Sequence, residues 1–251
     1  MSYNKKHSEF MKHQNILTLL LVACLCMEFT ACGDEEITAP AMAAPVATGQ
    51  WVDERDGEIY NWVQYGNLQW MTDNFRYDIG SYTDCRNYIE PEDWVQYAQE
   101  QLATRNRPKY GMYYSIPGAL QACPDGWRLP TDDEWQQLEQ ALGMTANESA
   151  CYDWRGNIAA NLVETKDHNT YARFLLGGYI TFYTTNSYLT NGSRFKGAWG
   201  YYWTSTQDER SDGTLYIYRK FAYNRAEICR QSMQPQNQLL NVRYVRDAGK
   251  N

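Results

Sequence analysis

The chain has almost no histidine. Two of its three histidines, His7 and His13, precede position 32, which leaves His168 in the polar stretch "ETKDHNTY". A single imidazole argues against a histidine-rich metal site and offers a Ser-His-Asp triad only one candidate, in a segment that reads as solvated surface. No two cysteines stand in C-x-x-C spacing, so the usual zinc frame is missing. Acids outnumber Lys and Arg by 30 to 23, for a formal charge of -7, and no basic cluster follows the leader. Nucleic acid and anionic lipid surfaces are therefore poor partners. The longest apolar run, Ile16 to Met27, falls well short of the ~20 residues that span a bilayer. Phenylalanine is also scarce, at 7 residues, against 21 tyrosines and 9 tryptophans. Tyr and Trp join an apolar ring to a polar handle, which suits sheets with wet edges and binding surfaces, although most of them are expected in core and strand positions.

The short apolar run is preceded by Lys5, Lys6 and Lys12 and followed by small residues, the order of a secretory signal, with Met1 and Met11 both available as starts. "FTAC", Phe29 to Cys32, resembles a bacterial lipobox, with Phe29 where leucine is usual. The resemblance implies acylation of Cys32, cleavage after Ala31 and a membrane partner reached through acyl chains. Asp34, Glu35 and Glu36 resemble the acidic tag that follows the lipidated cysteine in surface lipoproteins of the Bacteroides type. The expected location is the outer membrane, facing outward. Losing three lysines and two acids with the leader moves the formal charge from -7 to -8. The expected organisation is a signal peptide over 1–31, an Ala/Pro-rich flexible tether over 32–48 and one domain over 49–247.

Within that domain, Asp56-Gly57 and Gly66-Asn67 separate three β-rich runs between Gly49 and Tyr77. The acids Asp53, Glu54 and Asp56 lack the spacing of a calcium loop, and turn chemistry accounts for Asp56. An insertion over 78–108 contains "PEDWVQYAQEQLA", a predicted short helix over 91–103. Tyr110 to Tyr114 reads as a strand, and "SIPGALQAC" as a short helix behind a serine cap. Thr131 and Glu134 form a capping box, Trp135, Leu138 and Leu142 line one face of the helix that follows, and Gly143 stops it. Capping explains the adjacent carboxylates there better than acid/base chemistry. The remainder is aromatic strands broken by Gly, Asn and Ser. The expected fold class is α+β, with two short helices packed on a much-twisted antiparallel sheet.

Six segments, in order, resemble the Fibrobacter-type major paralogous domain: "DERDGEIY", "GNLQWMTDN", "KYGMYYS", "ACPDGWRLPTDDEW", "YYWTST" and "NVRYVRD". The resemblance covers roughly Gly49 to Asp247 and implies a C-type-lectin-like fold, related to formylglycine-generating domains and found in surface lipoproteins. Trp70, Trp127, Thr131, Glu134 and Trp203 fall in these segments and are expected to be structural. The calcium-binding tripeptides of lectins are absent, since "EPE" at Glu90 to Glu92 and "QPQ" at Gln234 to Gln236 do not replace them. No metal or cofactor is expected.

The family usually closes on V-R-C, and here Tyr244 takes the cysteine's place. In lectin-like folds a disulfide commonly ties the first helix to the last strand, so the resemblance implies that Cys123 is either free or re-paired. Cys85, Cys123, Cys151 and Cys229 allow three pairings. Cys85–Cys123 with Cys151–Cys229 is the expected one, since the insertion brings its own cysteine. The expected function is a non-catalytic cell-surface binding or adhesion domain for a glycan or protein. Aromatic late loops around Tyr183, Tyr188, Trp199 and Tyr201 would supply the contact surface. A structural subunit of a pilus tip or outer-membrane complex is the alternative. Formylglycine-type catalysis needs a C-terminal cysteine pair, and only Cys229 lies there.

Overall fold

The computed structural model of the chain describes residues 40–88, 106–166, 169–185 and 188–249, with 183–191 described by backbone alone. The leader, Cys32, the three acids after it, the predicted helix over 91–103 and His168 lie outside the described residues. In chain order the described elements are β1 (Ala47–Val52), β2 (Ile59–Tyr65), β3 (Leu68–Met71), β4 (Cys85–Arg86), α1 (Arg107–Tyr110), β5 (Tyr113–Tyr114), α2 (Ile116–Ala122) and α3 (Asp132–Ala141). They continue with α4 (Ala146–Ala150), β6 (Asp153–Arg155), α5 (Ala159–Leu162), β7 (Tyr179–Thr185), β8 (Tyr188–Arg194), β9 (Trp199–Gln207), β10 (Tyr216–Ala222), β11 (Ile228–Met233), β12 (Gln238–Leu239) and β13 (Val245–Asp247).

The structure is mixed α+β, with several antiparallel sheets and short helices. A first sheet has the order β1-β2-β3-β13, a second β6-β11-β10-β9, and a third β12-β7-β8, while β4 and β5 form a small pair. The opening hairpins follow from their turns. Gly57 and Gly66 both have positive φ, 75° and 55°, and the Gly66-Asn67 turn places Tyr65 opposite Leu68. The chain's end returns to pair β13 with β3, Val245 facing Trp70.

α3 starts as its sequence demands. The Thr131 hydroxyl accepts from the Glu134 amide at 3.1 Å, and the Glu134 carboxylate accepts from the Thr131 amide at 2.8 Å. Its apolar face, Trp135, Leu138 and then Leu142, is buried. Trp135 meets Trp70 of the first sheet edge-on at 5.1 Å and Phe174 at 5.1 Å, and it reaches Tyr202 and Phe221 of the second sheet. One helix thus welds two sheets around a core to which a single large ring contributes roughly 3–5 kcal/mol. A second core, with Tyr60, Phe75, Tyr114, Trp203 and Tyr244, lies against α2.

Three expectations change. The described residues hold five short helices rather than two. One of the extra three, α4, carries the same signature as α3, with Thr145 and Glu148 forming a capping box. Tyr110 is not in a strand: it ends α1, which Pro108 opens and Gly111, at φ 71°, closes, so that β5 begins only at Tyr113.

The disulfides are the third correction. Cys85, Cys123, Cys151 and Cys229 are all free thiols, so neither Cys85–Cys123 nor Cys151–Cys229 forms. Each thiol is placed by a different element. Cys85 is buried against the Met112 sulfur at 3.6 Å, and burial pushes its thiol up to about 12. Cys123 lies 3.2 Å from the Trp127 carbonyl, and burial pushes it up to about 11. Cys151 is exposed just after α4, whereas Cys229 is buried in β11. Tyr244 ties the chain's end to α2 by a hydrogen bond, its hydroxyl donating to the Ala119 carbonyl. Burial, and then the neighbouring Cys123, raise that phenol well above its ordinary value, so it stays a donor.

Candidate ligand-binding site

The motifs that carry the family resemblance meet in the interior. Arg243 is buried and donates to Asn74 Oδ1 at 2.7 Å and to the carbonyls of Met71, Ala172 and Arg173. Asn241 donates to the carbonyls of Tyr110 and Met112, and Trp203 Nε1 donates to the Tyr114 carbonyl at 2.9 Å. Trp70 is buried against Trp135, and Trp127 lies buried under the Arg246 guanidinium. Asp53 of the opening motif is buried and held by Arg55, which also caps the Ala122 carbonyl at the end of α2. The Arg243, Arg55, Asn241 and Trp203 donors are met by these acceptors, whereas Trp70 Nε1, Trp127 Nε1 and Asn241 Oδ1 are buried without a hydrogen-bond partner among the described residues; the cluster is packed interior and forms scaffold rather than a site. No group of three or more His, Cys, Asp and Glu residues placed to hold a metal occurs among the described residues.

The second sheet has one face turned toward α3 and one turned away. Toward α3 point Arg219 of β10, Arg230 of β11 and Arg155 of β6. Arg219 bonds Glu139 at 2.6 Å and Asp132 at 2.7 Å, Arg230 bonds Asp132 at 2.6 Å, and Arg155 bonds Glu139 at 2.7 Å. The carbonyls of Ser149, Ala150 and Ile228 take up remaining guanidinium protons. Burial alone would raise the Asp132 carboxyl, but hydrogen bonds from Arg230 and the charge of Arg219 hold it at about 2.

On the opposite face the residues are aromatic. Register pairs Lys220 with Tyr201 and Cys229, and Cys229 with Trp154, so these four share that face. Lys220 Nζ lies 4.9 Å from the Trp154 ring and 5.0 Å from the Trp199 ring. Beyond Trp199 the rings continue: Phe195 stacks on Trp199 at 4.5 Å, Tyr179 on Phe195 at 6.0 Å, and Tyr201 meets Tyr179 edge-on at 5.0 Å. The turn between β8 and β9 builds this shelf. Phe195 adopts φ 65° and its carbonyl accepts from the Trp199 amide at 2.9 Å, which folds its ring back over Trp199. Gly178 lets β7 start beside that turn, since a Cβ there would meet the Arg194 carbonyl oxygen at 2.1 Å. Phe195 is 44% exposed, and Tyr223, whose amide donates to the Ala198 carbonyl, is 70% exposed.

Of the aromatic residues expected to meet a ligand, Trp199 and Tyr201 come together, with ring centroids 6.1 Å apart. Trp199 is half-buried, whereas Tyr201 is buried. Tyr183 and Tyr188 sit at the far end of the β7–β8 hairpin, opposite Thr190 and Thr185. Sequence reasoning passed over Tyr179, Phe195, Trp154 and Lys220. One signal was present for Lys220: adjacent cations in a strand, Arg219-Lys220, must face opposite sides of the sheet.

The family model described as Fibrobacter succinogenes major domain matches residues 63–246, most of the chain. No curated protein and no solved structure matches it. The matched span runs from within β2 to within β13 and contains α3, the aromatic shelf and the core around Trp135, together with most of the second core. The chain therefore belongs to the Fibrobacter succinogenes major domain family.

Proposed function

We propose that the chain is a non-catalytic surface module that binds a glycan or protein through the shelf formed by Tyr179, Phe195 and Trp199. The reading rests on one observation: three rings in stacking distance crown a β-turn at a sheet edge, with exposed Phe195 at the tip. Flat rings held by strands stack on sugar faces or apolar side chains with little ordering left to do. Catalysis by the C-terminal thiol is disfavoured, because Cys229 is buried and burial raises its pKa. A C-type-lectin-like arrangement suits the pairing of the closing strand β13 with the opening hairpin. Acylation at Cys32 would tether the domain to the outer membrane, with the shelf available to partners outside the cell.

A glycan array and whole-cell adhesion assays with wild-type protein and a Phe195→Ala/Trp199→Ala variant test this reading. Binding that the double substitution abolishes, while the thermal midpoint falls only modestly, supports it. Binding that survives the double substitution, or no ligand of any class, overturns it.

A further inference from the structure

We propose that the site prefers a carboxylate-bearing saccharide, held by Lys220 between Trp154 and Trp199. The inference deepens the binding reading above and rests on it. Its basis is a contrast in charge pairing across one sheet. On the α3 side every guanidinium of the second sheet meets a carboxylate within 2.7 Å. On the other face Lys220 has no carboxylate within salt-bridge reach among the described residues, and its ammonium lies over the Trp154 and Trp199 rings. Topology sets those indoles on opposite sides of it. Trp154 stands on β6 and Trp199 on β9, the two edge strands, with Lys220 on β10 between them. Cys229, small and buried, fills the gap in the row and lets Lys220 lie toward Trp154. A second cation, Arg225, lies over Trp154 at 4.6 Å, and its one acidic contact among the described residues is an exposed one with Glu227 at 3.4 Å.

A cation flanked by aromatic walls selects a ligand that offers both an anion and a ring-shaped apolar face. The ammonium keeps its attraction for a carboxylate while the rings strip water from the approach, which strengthens the charge contact. A chain of formal charge -7 repels anions in general, so a local pair of cations on its surface acts selectively. An acidic peptide would satisfy the charge but would leave the paired indoles without a flat partner.

The test is titration calorimetry of the intact protein with galacturonate trimer, guluronate trimer and sialyllactose, each as free acid and as methyl ester, with hexaglutamate alongside. At least one acid is expected to bind about tenfold more tightly than its ester, the loss typical of a hydrogen bond to a charged group. Lys220→Met should bring the acid down to the ester's affinity, and Lys220→Arg should restore much of the difference. Trp199→Ala should weaken acid and ester alike. Circular dichroism and the thermal midpoint report whether each variant is folded. Equal affinity for acid and ester, an unchanged preference in Lys220→Met, hexaglutamate binding as well as the saccharides, or no binding by any acid overturns the proposal. A neutral glycan bound through Trp199 and indifferent to Lys220 would overturn it while leaving the binding function standing.

Discussion

Arg219 and Lys220 are neighbours in sequence and opposites in fate. The Arg219 side chain points into the interior, is fully buried and bonds two carboxylates of α3. Lys220 points the other way, is half-buried and touches indole rings but no acid among the described residues. The same contrast runs through the whole sheet. One face is a closed electrostatic lock in which three arginines meet two acids, and the other packs Tyr201, Trp203 and Tyr218 into the second core and leaves Lys220 half-buried beside Trp154 and Trp199. Buried charge is tolerated only when paired, because removing ions from water costs several kcal/mol each. A charge at a half-wet surface meets no such demand and remains available to a ligand.

Breaking the lock should have the largest effect. Arg219→Met strands Asp132 and Glu139 without their shared partner, and urea unfolding should show a loss of roughly 3–5 kcal/mol. A loss below about 1 kcal/mol would mean that the two faces do not differ as described. The next effect is on pH. The folded Asp132 carboxyl, at about 2, lies below its ordinary 3.8. Its contribution is therefore complete above about pH 4 and disappears as pH falls through about 2, amounting to something on the order of 2 kcal/mol. Acid titration of the thermal midpoint should show this fall, and Asp132→Asn should be destabilised at pH 7 while losing less on acidification.

Smaller effects belong to the open face. Trp199→Ala removes one half-buried ring and should cost roughly 1–2 kcal/mol in stability, and it should weaken ligand binding for acid and ester alike. Lys220→Met should change stability by no more than about 0.5 kcal/mol, since it breaks no ion pair. That near-zero result, set beside the loss in Arg219→Met one residue away, is the sharpest form of the comparison. Equal losses at both positions would erase it.

Much of the frame is legible along the chain. The Thr131–Glu134 capping box, the stop at Gly143, the hairpin turns at Gly57 and Gly66 and the helix behind Ser115 all appear where the residues place them. The Thr145–Glu148 box announced α4 equally plainly, and it was obscured only because five residues show no apolar period. The candidate site was half legible. Trp199 and Tyr201 come from a run that reads as an aromatic strand, but Tyr179, Phe195 and Trp154 arrive from elsewhere in the chain. The rings that matter are chosen by register, and register depends on which strands become neighbours.

What the sequence by itself determined is therefore local: caps, turns and strand alternation, because these bonds join residues a few positions apart and depend on side-chain chemistry and on the sign of φ. It also determined that the segment "NVRYVRD" carries Tyr244 and no cysteine. Tertiary structure decided that the remaining thiols stay apart and that Tyr244 ties itself to Ala119. It also decided which of two adjacent cations is neutralised. A pairing of thiols or charges requires distant segments to converge within a few ångströms, and only the packing of α3 between two sheets sets where those segments meet.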